Sequence, residues 1–151
     1  MLTIRGVPAL RIEHVGIVVD DLEAATEFFA ELGLEIQDKG SVEGDWVDRI
    51  IGLQGARSDL VIMQTADGHG RVELVKFHEP PYTGEAQNLP SNAPGLRHIL
   101  FAVDDVDGQV ARLQSLGYEL VGDIENYEGI YRLCYIRGPA GIIVELAERI
   151  S

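Results

Sequence analysis

Cysteine is nearly absent: Cys134 stands alone in 151 residues. A single thiol excludes an intrachain disulfide and a thiolate-rich zinc site. Any metal bound here must be held by nitrogen and oxygen. Long apolar runs are missing too, none approaching the roughly 20 residues that cross a bilayer. The opening residues, MLTIRGVPALRIEH, carry no hydrophobic core followed by a cleavage site, so a cytoplasmic protein is expected. Basic residues are scarce, 12 against 25 acidic, giving a formal charge of −13. A polyanion is repelled by such a surface, which argues against nucleic acid and anionic membranes as partners. The glycines fall in neither dinucleotide-binding nor P-loop spacing. Low-complexity tracts are lacking, and 46% of the residues are apolar, so the chain has the composition of one folded domain.

What is present is a repeat. The segment HVGIVVDDLEAATEFFAELGLEI, from His14, aligns without a gap on HILFAVDDVDGQVARLQSLGYEL, from His98. The pairs His14/His98, Val19/Val103, Asp20/Asp104, Asp21/Asp105, Leu32/Leu116, Gly33/Gly117 and Glu35/Glu119 are identical. Val72-Glu73-Leu74 recurs as Val144-Glu145-Leu146 at the corresponding end of each half. Each half predicts a strand (12–19, 96–103), then a helix capped by the Asp-Asp pair and stopped by Gly33 or Gly117. Three shorter strands follow, near 34–39, 58–65 and 71–77, then 118–124, 130–137 and 142–148. The stretch 41–57 gives no clear assignment. The expected organisation is a single domain over 1–151, with module one at 10–77 and module two at 96–148. Between them, 78–95 carries four prolines and reads as a surface linker.

Strand alternation puts His14 on one face with Ile12, Gly16 and Val18, and His98 with Leu96, Leu100 and Ala102. Both faces of these strands are apolar, so both must be covered, one by a helix and the other by something else. Glu73 and Glu145 interrupt apolar strands, where a carboxylate is costly unless paired or bound to a cation. Two histidines and two glutamates at matched places point to one divalent ion held by His14, Glu73, His98 and Glu145. An N₂O₂ set suits Zn, Ni, Co, Mn or Fe(II). With six-fold coordination, two positions stay open to substrate oxygens. His69, in a glycine-flanked turn, and His78, at the start of the linker, are expected to be solvated.

These segments, together with GRVELVKF and GPAGIIVELAE, resemble the vicinal oxygen chelate superfamily, also called the glyoxalase/bleomycin resistance/dioxygenase family. The resemblance covers nearly the whole chain. It implies an α+β fold of two tandem βαβββ modules forming a curved eight-stranded mixed sheet around a metal-containing cavity, with ligands on the first and last strands of each module. Extradiol dioxygenases and fosfomycin-modifying enzymes leave the place of Glu73 unfilled, whereas glyoxalase I fills all four. Glu73 thus points to the glyoxalase/epimerase branch. There a metal stabilises an enediolate while a carboxylate moves a proton beside a carbonyl; Glu145 is favoured as that base, with Glu73 the alternative. The extra glutamate of methylmalonyl-CoA epimerase has no clear counterpart, Asp59 being only near its place.

The implied protein is a lyase or isomerase acting on a small molecule. An Fe(II) extradiol-type dioxygenase and a non-catalytic, resistance-type binding protein are the alternatives. A homodimer is expected, and the sequence leaves open whether modules pair within one chain or between two. Further candidates for substrate contact are Tyr127, Tyr131, Arg132, Tyr135, Trp46 and Arg49. Alternation splits Tyr131 and Tyr135 from Arg132 and Cys134, so they cannot all face one cavity. Cys134 is expected to be a packed residue rather than a nucleophile.

Overall fold

The computed structural model describes residues 6–84 and 88–151. Module one runs β1 (Val15–Val18), α1 (Leu22–Glu31), β2 (Glu35–Glu43), α2 (Asp45–Ile51), β3 (Arg57–Gln64) and β4 (Arg71–Glu79). Module two runs β5 (His98–Ala102), α3 (Val106–Ser115), β6 (Glu119–Leu120), β7 (Glu125–Tyr127), β8 (Tyr131–Arg137), a 3₁₀ turn (Pro139–Gly141) and β9 (Ile143–Arg149). The unassigned stretch thus contains α2, and module two carries one short strand more than the repeat predicts. His78 belongs to β4, not to the linker.

The two main helices begin and end as the repeat requires. Asp21 and Asp105 cap α1 and α3 by accepting from the backbone N–H groups of Ala24 and Gly108, at 2.9 and 3.0 Å. Gly33 and Gly117, with φ of 92° and 98°, then turn the chain through the left-handed region. Each helix brings an apolar stripe to its sheet: Ala25, Phe28 and Phe29 from α1, Val106, Val110 and Leu113 from α3.

The strands form two sheets, ordered β1-β4-β3-β2 and β5-β9-β8-β6, with β7 adding to β8. In each, the first strand pairs in parallel with the last, placing Gly16 beside Glu73 and Leu100 beside Glu145. The mixed two-module architecture is as expected, but one chain divides it between sheets of four and five strands. The reason lies in the core. Val61, Met63, Val72 and Leu74 of the first sheet join Cys134, Ile136, Val144 and Leu146 of the second in one cluster with both helices. Phe28 packs edge-on against Tyr118 at 4.7 Å, and Phe29 lies 6.1 Å from Phe101, so the modules meet through their helix-covered faces. The opposite face of each sheet looks away from this common core.

Candidate metal centre

The outward faces carry the four expected ligands. In module one, His14 immediately precedes β1 and Glu73 lies on β4; His14 Nε2 is 3.6 Å from Glu73 Oε2. In module two, His98 opens β5 and Glu145 lies on β9; His98 Nε2 is 3.4 Å from Glu145 Oε1. Two donors each about 2.1 Å from a shared ion stand about 3.0–3.4 Å apart, for angles between octahedral and tetrahedral. Each pair therefore fits an N,O half-site to within a few tenths of an ångström. Neither contact has hydrogen-bond geometry. The side chains are partly open to solvent, His14 38%, Glu73 26%, His98 42% and Glu145 13% exposed.

The half-sites remain apart. Among the described residues no group of three or more His, Cys, Asp or Glu side chains is placed to hold a metal ion. This follows from the fold: each pair sits on a face turned away from the core the two sheets share. The same outward faces expose apolar side chains. Ile12 and Val18 flank His14, and Leu96 and Leu100 flank His98, all at least half exposed. Apolar surface concentrated around a polar site marks a surface that binds something.

A cavity of about 530 Å³ lies on the outward face of the second sheet, with Glu145 in its wall. Leu100, Ala102, Leu133 and Ala147 form its apolar lining, and Tyr131, Asp104 and Arg149 add polar groups. A larger space, about 860 Å³, opens between β1, the start of β5 and the connector, and takes in Gly16, Val18, Leu96 and His98. Of the residues expected to contact substrate, Tyr131 faces the first cavity. Tyr135 lies directly across from Glu145 in the β8/β9 ladder, and its hydroxyl approaches His98 Nδ1 at 3.4 Å.

The others are placed elsewhere. Arg132 points to the helix-covered side, where Asp107 at the start of α3 binds its guanidinium through two contacts, at 2.8 and 2.9 Å. The Asp107 carboxyl is held below the usual aspartate range by that hydrogen bond and by the charge of Arg132. Tyr127 on β7, and Trp46 and Arg49 on α2, are exposed and line neither cavity. Cys134 is buried in the core, and burial pushes its thiol up to about 11, as befits a packing residue.

Sequence reasoning missed one polar cluster. Asp59 Oδ1 accepts from Ser41 Oγ at 2.6 Å, and His78 Nε2 lies 2.8 Å from Asp59 Oδ2. The Ser41 hydrogen bond, then the His78 contact, hold the Asp59 carboxyl low. His78 is thus a paired strand residue rather than a solvated one. Antiparallel pairing of Ser41 with Asp59 is invisible without the register. Arg149 was also missed, although it shares its strand face with Glu145 and alternation alone finds it.

Comparison with known proteins agrees with this architecture. The chain is 30% identical to a 2-epi-5-epi-valiolone epimerase of Actinomyces sp., over 96% of this chain and 83% of that one. A glyoxalase family protein of Bacillus cereus is 42% identical, with a TM-score of 0.94 over 99% of this chain and all of the other. The fosfomycin resistance protein FosX of Listeria monocytogenes, solved with Mn(II) and sulfate, shares the fold at 17% identity and a TM-score of 0.55, over 97% and 93% of the two chains. Among the described residues no helix is long and apolar enough to cross a membrane. Residues 11–146 match the profile of one family, and the chain belongs to it: the Glyoxalase/Bleomycin resistance protein/Dioxygenase superfamily.

Proposed function

We propose that this protein is a metal-dependent lyase or isomerase of the glyoxalase type whose site is assembled between two copies of the chain. His14 and Glu73 come from one copy, His98 and Glu145 from the other. The observation that carries this reading is the pair of His–Glu half-sites, each at ligand spacing, on faces turned away from one shared core. A two-fold interface brings the first face of each copy onto the second face of its partner, producing two equivalent four-ligand sites and covering the apolar residues around them. The epimerase relative supports proton-transfer chemistry, and the manganese in FosX supports a divalent ion on this fold.

Two neutral imidazoles and two carboxylates fit a divalent cation in charge and hardness, and the single buried thiol leaves no competing soft donor. Bound there, the ion supplies Lewis-acid polarisation of a carbonyl oxygen. Glu145 faces the cavity of the second sheet and takes or returns the proton on the adjacent carbon. Leu100, Leu133 and Ala147 keep water from the non-polar part of the substrate, while Tyr131 orients its polar groups.

The test is deuterium wash-in at the carbon next to the carbonyl, over a panel of α-hydroxy ketones and adducts of 2-oxoaldehydes with thiols. Exchange that needs added Mn²⁺, Ni²⁺ or Zn²⁺ and is lost in Glu145→Gln is expected. A protein that binds none of these ions on titration would falsify the reading. Oxygen uptake with catechols would move it to dioxygenase chemistry.

A further inference from the structure

The two half-sites differ in the residue that faces the glutamate from the antiparallel strand. On β3 the residue opposite Glu73 is Ile62, whereas on β8 the residue opposite Glu145 is Tyr135. The Tyr135 ring is tilted 34° against the His98 ring with centroids 5.1 Å apart, and its hydroxyl oxygen stands 3.4 Å from Nδ1. That is the long end of a hydrogen bond, and it is the one the His98 ring makes among the described residues. His14 makes none there from either nitrogen.

We propose that Tyr135 is a positioning residue for His98, fixing both the plane of its ring and its neutral tautomer. The ring contact stands on geometry, and the choice of tautomer rests on the metal-site reading. His98 Nε2 is the nitrogen that faces Glu145, so it must carry a lone pair to act as a ligand. The proton then resides on Nδ1, and Nδ1–H donates to the Tyr135 hydroxyl oxygen. A histidine whose second nitrogen is so engaged is held in the ligating tautomer and loses less freedom when it binds. The Tyr135 O–H hydrogen is then left to donate to another acceptor. Ile62 offers the first module nothing equivalent, so the second module is the pre-organised half of the site.

The experiment uses the full chain with ¹⁵N-labelled histidine, wild type and Tyr135→Phe, after chelator treatment. Two-bond proton–nitrogen correlations at a pH where the imidazoles are neutral report the tautomer of each ring. His98 mainly in the Nδ1–H form in wild type, shifted toward Nε2–H in Tyr135→Phe, with His14 unchanged, is expected. His98 in the same tautomer in both proteins overturns the proposal. A second measurement titrates Mn²⁺ into each protein: Tyr135→Phe is expected to bind about 10- to 100-fold more weakly, and equal affinity also overturns it. Were wild type to bind no Mn²⁺ while the tautomer shift occurred, the metal reading would fail and the positioning role would stand.

Discussion

Modules one and two share a core and differ around their His–Glu pairs. Asp21 and Asp105 cap equivalent helices, Gly33 and Gly117 end them, and Leu74 and Leu146 are fully buried at matching strand positions. Away from this frame the halves diverge. Module one carries α2 and a long β2/β3 hairpin; module two has a two-residue β6, the extra β7, and a cavity over Glu145. The difference teaches that the repeat preserves what folds each module and one His–Glu pair on its outward face, while the surroundings of the two pairs are unequal. Glu145 is half as exposed as Glu73, faces the cavity and has Tyr135 across from it, so the proposed chemistry is assigned to the second half.

The largest expected effect tests that assignment. Glu145→Gln should lower proton exchange by about 10²- to 10⁴-fold, the range for loss of a general base. Glu73→Gln should act mainly by weakening metal affinity, measured by titration, and should recover toward wild-type turnover at saturating ion. Equal loss in both variants at saturating ion would erase the distinction. The shared core gives the next effect. Leu74→Ala and Leu146→Ala, each deleting a fully buried side chain, should each cost about 2–5 kcal/mol in chemical unfolding. A large inequality between them would show that the modules are not equivalent in packing either.

The smallest effect concerns acid. Asp59 in module one and Asp107 in module two both have folded-state pKa values below the ordinary 3.8, through Ser41 and His78 in the first case and Arg132 in the second. A depressed carboxylate pKa adds stability that is present above the unfolded value and lost as pH falls through the folded one. Asp59→Asn and Asp107→Asn should therefore be modestly less stable than wild type at neutral pH, and should converge with it below about 3.8, as followed by urea midpoints against pH. Both carboxylates are exposed, so the separation is small. A pH-independent gap would assign their role to packing instead.

The repeat made the frame legible because caps, helix stops and apolar periodicity are local signals, and each was written twice. The four candidate ligands stood out for a related reason: a histidine and a glutamate at the same place in each copy of an apolar strand pair have a common cost to offset. Other features were not legible. The helix α2 lies in a seven-residue stretch too short for periodicity to separate from loop. The Ser41–Asp59–His78 cluster depends on antiparallel register, which spacing along the chain does not give. The division of the four candidate ligands between two outward faces depends on how α1 and α3 pack together, a tertiary choice that either module alone leaves undetermined.

That division is the central claim, and subunit mixing tests it most directly. His14→Ala and His98→Ala are each expected to lose tight Mn²⁺ binding. Co-expressed, they form mixed dimers in which one site carries both substitutions and the other carries neither. Random pairing then restores about one quarter of the wild-type number of sites. Recovery of tight binding near that level in the mixture, with none in either variant alone, is the predicted result. No recovery in verified mixed dimers, or a wild-type protein that binds the ion as a monomer, would contradict a site built between two chains.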